Sequence, residues 1–386
     1  MNNNLPIIRS GATEFVEIPS SVRLVIILPT YRTTPIAHSV IATMLGVASD
    51  EVAVLIADNS ENPEKRAFLK GISSINPNVI AVAHEKNIGA VENFNYLFEW
   101  SKNIEFVAMM ADDDWMSPTY HLDAYRSLLD NSGTSGAEAG TTFVDMGDGN
   151  LVKVNQFAMR GQTPIDRIMQ WRDVVRVTMY NVSRRDAVEA TIQYLKATPL
   201  QGLSLAEDLF DINRLAMGDF LSVSGHGCYV HYPATGGLGD VNKRFYDLIC
   251  KDVGLQYPFV YFIGLSSAIQ CAMFLMGNRS PLTDPIQKSI CGQQVFRHLF
   301  TNFLQNVSGE SAQAAAGILF TNYPDVMDGF LKYCTPPFSQ QPVFGIELIN
   351  WFIMLLDAFE QKPSVNNFSV AKQFAQFVIE TGPYAI

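Results

Sequence analysis

The sequence predicts a doubly wound α/β domain with a mostly parallel sheet and flanking helices, followed by a mainly helical C-terminal region. Three observations carry this expectation. Short apolar, β-branched runs alternate with helical periodicity four times between Val22 and Met110. Polar residues collect at the C-terminal ends of those runs, where open parallel sheets bind ligands. Beyond Asp240 the text changes to long apolar and aromatic stretches broken by Asn, Gly and Pro.

Taken in order, residues 1–21 read as a polar lead-in, partly disordered or docked on the surface. Val22–Leu28 is a buried parallel strand, and Pro29-Thr30-Tyr31-Arg32 is its terminal turn. A helix follows from Pro35 to Val47, with proline in its first turn. Val52–Ala57 is the second strand, ending in Asp58-Asn59-Ser60. Pro63–Gly71 reads as a helix closed by glycine. Val79–Ala83 is the third strand and leads to Asn87-Ile88-Gly89. Glu92–Ser101 is helical, and Phe106–Met110 is the fourth strand. Tyr120–Asp130 is a helix, Asn131–Gly140 a flexible loop from its Gly, Ser and Ala content, and Gly147–Asn150 a hairpin turn. Val174–Val182 is a strand, and Ser183-Arg184-Arg185-Asp186 opens a helix to Lys196. Leu203–Met217 is helical, and Phe220–Val223 and Cys228–Tyr232 are strands.

Composition narrows the function classes. With 48% hydrophobic and 17% charged residues, the chain of 386 is globular and long enough for two domains. A net charge of −11 and no basic run argue against general nucleic-acid binding. The five cysteines, Cys228, Cys250, Cys271, Cys291 and Cys334, contain no C-x-x-C pair, so neither a zinc site nor a disulfide framework is expected. Met1–Arg9 lacks the features of a secretion signal. Tyr257–Met276 is apolar over a bilayer's length. Its Pro258, Gly264, Ser266, Ser267 and Gln270 favour a buried helix over a membrane-associated one.

The most informative stretch is Phe106 to Pro118, an apolar run that ends in Asp112, Asp113 and Asp114. Three like charges at a strand end repel one another. A hard divalent cation, Mn²⁺ or Mg²⁺, relieves this and takes phosphate oxygens as further ligands. The bland alternative is a solvated acidic loop. Glu207-Asp208 alone would be a surface pair on a helix. His231 alone would be a structural histidine, with His226 a competitor for any metal role. Arg184-Arg185 alone would be a solvated edge, and the aromatics from Phe245 to Phe262 would be core.

In their order and spacing these pieces resemble the family 2 glycosyltransferases, enzymes of the GT-A fold. The matching text is Pro29-Thr30-Tyr31-Arg32, Val54 to Ser60, Asn87-Ile88-Gly89 with Asn93, Ala111 to Trp115 with Pro118, Glu207-Asp208 and His231. It covers roughly 22–240, leaving 241–386 unmatched. The resemblance implies an inverting, metal-dependent enzyme of hexosyltransferase type. It would move a sugar from a nucleotide-diphosphate donor, with UDP expected, to a hydroxyl acceptor in glycan or polysaccharide synthesis. Residues 22–118 would bind the nucleotide and 119–240 the acceptor. Thr30, Tyr31 and Arg32 would line the nucleotide pocket, and Asp58 would accept a hydrogen bond from the base. Asn87 and Gly89 would lie near the nucleotide. The acidic cluster looks like the D-x-D equivalent, with Asp112 toward the ribose and Asp113 and Asp114, supported by His231, on Mn²⁺ or Mg²⁺. Ala111 stands where a first Asp is common, which departs from the pattern. Asp208 would be the catalytic base, its pKa raised by the like charge of Glu207. The expected partners are the nucleotide sugar and a carbohydrate or lipid-linked acceptor, in the cytoplasm or at the inner membrane face. Peripheral membrane binding and self-association stay open. Two alternatives remain: a non-catalytic nucleotide-sugar-binding protein, and a sugar nucleotidyltransferase. The absence of glycine from Pro29 to Thr34 counts against the second.

Overall fold

The computed structural model describes residues 5–8, 15–145, 151–153, 158–171, 180–199, 206–231, 243, 246–251, 253–306, 321, 324, 344–361 and 369–381. They fall into two compact units. The first comprises Met1–Arg160, Val174–Glu189 and Gly218–Ala234. The second comprises Gly161–Asp173, Ala190–Met217 and Thr235–Ile386.

The first unit is built on one sheet. Its strands are β1 (Ile7–Ile8), β2 (Leu24–Thr30), β3 (Val52–Asp58), β4 (Val79–His84), β5 (Phe106–Met109), β6 (Asp114–Met116), β7 (Thr134–Asp145), β8 (Leu151–Lys153), β9 (Val182–Arg184) and β10 (Asp219–His231). They lie in the order β1-β4-β3-β2-β5-β9-β7-β10-β6, with β8 on the side of β7. The run from β1 to β5 is parallel. β9 enters antiparallel to β5 and β7. Helices α1 (Pro35–Thr43), α2 (Pro63–Ile75), α3 (Ala90–Trp100) and α4 (Pro118–Asp130) connect and cover these strands. Leu24, Ile26 and Leu28 of β2 pack with Val54 and Ile56 of β3, Phe106 and Ala108 of β5, Ile41 of α1 and Leu69 of α2. Buried on both faces, β2 and β3 read as continuous apolar runs rather than alternating ones.

Four local expectations are corrected. Asn131–Gly140 is not a loop from end to end: Thr134 onward is β7, inside the sheet, paired with β10 and β9. Strand propensity is context, and ladder partners on both sides override a Gly- and Ala-rich composition. Gly71 does not close α2. The helix runs through it to Ile75, with Asn76 as its C-cap. Phe220–Val223 and Cys228 onward belong to one strand, β10, whose register against β7 shifts between Val223 and Gly227. Arg184 and Arg185 are not a solvated edge. Arg184 donates to the carbonyls of Thr134 at 2.8 Å and Leu128 at 2.7 Å. Arg185 donates to the Ser101 hydroxyl and the Phe98 carbonyl, both at 3.1 Å. Both are spent on protein oxygens rather than on solvent. The lead-in contributes β1, docked parallel on β4. The expected hairpin turn at 147–150 and the strand residues 174–179 lie outside the described residues.

The second unit is helical where described. It holds α5 (Pro164–Trp171), α7 (Ala206–Met217), α8 (Ile263–Met276), α9 (Pro285–Asn306), α10 (Phe344–Phe359) and α11 (Val370–Glu380); α6 (Asp186–Ala197) precedes α7. Arg167 of α5 donates to the carbonyls of Leu215 and Gly161, each at 2.7 Å. Trp171 donates to Asp211 of α7 at 2.9 Å. The apolar stretch Tyr257–Met276 is the one candidate membrane span among the described residues, and 89% of its window is buried inside the protein. It forms a 3₁₀ turn, Tyr257–Phe262, and then α8 as a core helix.

Candidate active site

The site gathers where β2, β3 and β5 end, and α2 supplies its centre. Asn62 caps that helix by accepting from the Lys65 backbone N–H at 2.9 Å, with Pro63 at the first helical position. This sets Lys65, Leu69 and Ile72 on the buried face, at helical spacing. Lys65 is fully buried. Its ammonium donates to the Thr30 hydroxyl at 2.6 Å and to the Arg32 carbonyl. It lies 3.6 Å from Asp58 Oδ1 and 3.9 Å from Asp112 Oδ2. Burial pushes the Lys65 pKa below its ordinary value, against the pull of Asp58 and Asp112.

Asp112 is the most committed carboxylate. Its Oδ2 accepts from the Thr30 hydroxyl at 2.7 Å and from the backbone N–H groups of Tyr31 and Arg32 at 2.9 and 3.0 Å. Its Oδ1 accepts from Arg32 Nη1 at 2.9 Å. Burial alone would raise its pKa, but these hydrogen bonds and the Lys65 charge hold it below the ordinary carboxylate value. Asp113 meets Arg32 Nη2 at 2.8 Å and keeps 27% of its side chain exposed. Its pKa is raised by burial and then by the charge of Asp114, against the attraction of Arg32. Asp114 begins β6, and its Oδ2 accepts from the Tyr180 hydroxyl at 2.5 Å.

Asp58 is fully buried. Its Oδ1 accepts from the Ser60 N–H at 3.0 Å, while Oδ2 has no partner among the described residues. Asn59 ties the next strand ends together. Its Nδ2 donates to Asn87 Oδ1 at 2.7 Å and to the Gly89 carbonyl at 3.1 Å, and its Oδ1 accepts from the Ile88 N–H at 2.8 Å. Gly89 has φ +86°, a conformation that suits glycine. Asn93 donates to the Ala57 carbonyl at 3.0 Å and pairs with His84 at 2.9 Å, fixing α3 beneath β3 and β4.

Thr30, Arg32, Asp58 and Asp112 are therefore brought together around Lys65, and Asp113 joins them through Arg32. Asn87 and Gly89 border Asn59 in the adjoining turn. Tyr31 is exposed, with its backbone held by Asp112. His231 is described through its backbone and sits opposite Asp114 in the β6–β10 ladder. Glu207 and Asp208 belong to the second unit and open α7. Glu207 is exposed, and half-buried Asp208 accepts from the Ser267 hydroxyl of α8 at 3.3 Å. Lys65 and Tyr180 escaped the reading of the sequence. A lysine on the apolar stripe of α2 was the available signal for the first; Tyr180 offered none.

Among the described residues no three His, Cys, Asp or Glu side chains form a metal cage. A nucleotide-bound Mg²⁺ needs only one or two carboxylates beside phosphate oxygens and water. Asp113, partly exposed and crowded by Asp114 and Asp112, fits that lesser demand.

Residues 25–191 match the model of glycosyl transferase family 2. Over this segment the chain is similar to the family 2 glycosyltransferases. No curated protein matches the chain. Among solved structures the chain is similar to S. aureus TarS 1–349 in complex with UDP-GlcNAc. Identity is 14% and the TM-score 0.52, over 86% of this chain and 90% of that one. It is also similar to the same fragment in complex with UDP, at 11% identity and TM-score 0.51, over 95% of this chain and 93% of that one. At these identities the likeness speaks for the fold, which is GT-A. The family match supports glycosyltransferase activity in this domain. It holds every strand end described above and stops before Glu207, Asp208 and His231.

Proposed function

We propose that the chain is an inverting, metal-dependent glycosyltransferase that moves a sugar from a UDP-linked donor to a hydroxyl acceptor. One observation carries the reading. Within the matched segment, Asp58, Asp112 and Asp113 are gathered around Lys65 and Arg32 at the ends of three parallel strands. The UDP-GlcNAc and UDP complexes of TarS support a uridine diphosphate donor.

The residues divide the work as follows. Asp58 accepts a hydrogen bond from the base. Asp112, fixed by the backbone after β2, faces the ribose. Asp113, with Asp114 and His231 beside it, holds Mn²⁺ or Mg²⁺. When bound, the ion supplies a Lewis acid that neutralises charge on the departing diphosphate. Asp208 takes the proton of the acceptor hydroxyl as that oxygen attacks the anomeric carbon. One displacement inverts the centre.

Calorimetric titration of UDP and GDP, each with and without Mn²⁺, tests the donor and metal together. UDP is expected to bind tightly only with Mn²⁺. Preference for GDP would change the donor, and binding of neither would remove the enzymatic reading. Asp208→Asn tests the base: kcat is expected to fall about 10²–10⁴-fold with donor binding unchanged. An unchanged kcat would assign the pair to the helix N-terminus alone, where acidic residues are favoured by the dipole.

A further inference from the structure

We propose that Arg32 is a displaceable counter-cation, which covers the carboxylate oxygens that the ion and nucleotide need and passes to the diphosphate when they arrive. The inference rests on the donor reading above and adds an exchange to it.

The hydrogen-bond pattern of the cluster separates two kinds of oxygen. Asp112 Oδ2 is saturated by Thr30 and two backbone N–H groups. Asp112 Oδ1 has one hydrogen-bond partner among the described residues, Arg32 Nη1 at 2.9 Å. Asp113 Oδ2 is paired with Arg32 Nη2 at 2.8 Å. One guanidinium therefore bridges Asp112 Oδ1 and Asp113 Oδ2. A planar fork suits two adjacent carboxylates, and it suits two phosphate oxygens equally well.

The backbone around Arg32 explains why only its side chain would move. Its N–H donates to Asp112 and its carbonyl accepts from buried Lys65, so the main chain is pinned on both sides. The side chain is 43% exposed. Lys65 is the other cation of the cluster and cannot play this part, because it is wholly buried and tied to Thr30 and the Arg32 carbonyl. A divalent ion on Asp113 would meet the guanidinium at close range, and two cations on neighbouring oxygens repel. Arrival of the ion therefore favours release of Arg32. The released guanidinium then finds a new anion in the diphosphate.

A fixed strut would behave in the opposite sense, since removing it would loosen the carboxylates and weaken the ion. The sign of one measurement decides. Mn²⁺ alone is titrated into the parent chain, Arg32→Gln and Arg32→Lys, with free ion read by electron paramagnetic resonance. UDP is then titrated at saturating Mn²⁺. Arg32→Gln is expected to bind Mn²⁺ alone about tenfold more tightly and UDP about tenfold more weakly, the scale of one charge-assisted hydrogen bond. Arg32→Lys, which keeps the charge, is expected to stay near the parent chain for Mn²⁺. Thermal melts confirm that the variants fold. Unchanged or weaker Mn²⁺ binding by Arg32→Gln would overturn the exchange. The donor reading is judged separately in the parent chain: metal-dependent UDP binding there, without the gain in Arg32→Gln, removes only the role of Arg32. Absence of UDP binding in the parent chain removes the donor reading.

Discussion

Asp113→Asn is expected to abolish Mn²⁺-dependent UDP binding and to lower kcat by about 10³-fold, while leaving the melting temperature close to that of the parent chain. The reason lies in how the three adjacent carboxylates are used. Asp112 gives one oxygen to Thr30 and the backbone after β2. Asp114 starts β6, pairs through its backbone with His231, and binds Tyr180. Asp113 shares the half-exposed Arg32 side chain with Asp112, but it keeps 27% of its own side chain exposed where Asp112 keeps 5%. Asparagine keeps the shape and removes the charge that an ion requires. A Lewis acid lowers such a barrier by several kcal/mol, and about 4 kcal/mol corresponds to 10³ in rate. The fold should not notice, because Asp113 is partly exposed and its ion-pair partner, Arg32, is half-exposed. Calorimetry with Mn²⁺ and UDP, beside turnover with a UDP-sugar, checks both halves. If Asp113→Asn still bound UDP in a metal-dependent way and Asp114→Asn did not, the ion would belong to Asp114.

Much of this site is legible in the sequence because parallel sheets put it there. A buried parallel strand must be apolar, so the first polar residue after it marks a strand end, and such ends share one edge of the sheet. Thr30, Asp58 and Asp112 obey that logic. Asn87 and Gly89 follow from it through Asn59. What was not legible depends on contacts distant in sequence. Lys65 reaches Thr30 and Asp112 across 35 and 47 positions, and nothing in its neighbours announces this beyond its place on an apolar helix face. Tyr180 meets Asp114 over 66 positions. The same holds for β7, whose strand character comes from β9 and β10 rather than from its own glycines. Local rules mark where a ligand edge lies. They do not reveal which buried charge holds it open.

That buried charge leads to the second large effect. Lys65→Met should destabilise the protein by about 3–5 kcal/mol, the cost of removing one partner from a buried ion pair. Methionine fills nearly the same volume, so the loss would reflect charge rather than a cavity. Asp58 and Asp112 would be left buried without their shared cation, and the Thr30 hydroxyl and the Arg32 carbonyl would each lose a donor. The pH dependence gives a signature that a packing defect would not. In the parent chain the Asp112 pKa is held below its ordinary value. Its ionised form therefore contributes stability that is present above the unfolded carboxylate pKa, about 3.9, and is lost as pH falls through the lower folded value. Without Lys65 the folded pKa rises, and acid unfolding should begin at a higher pH. Adding Asp112→Asn should recover part of the loss, because an amide oxygen still accepts from Thr30 and from the backbone N–H groups of Tyr31 and Arg32 while carrying no charge. Urea denaturation of the parent chain, the single variant and the double variant, repeated across acidic pH, measures each step. A Lys65→Met chain within about 1 kcal/mol of the parent, with no shift of its acid transition, would mean that the buried pairs do no more than break even with hydrophobic packing. The strand ends would then be held by their backbone hydrogen bonds alone.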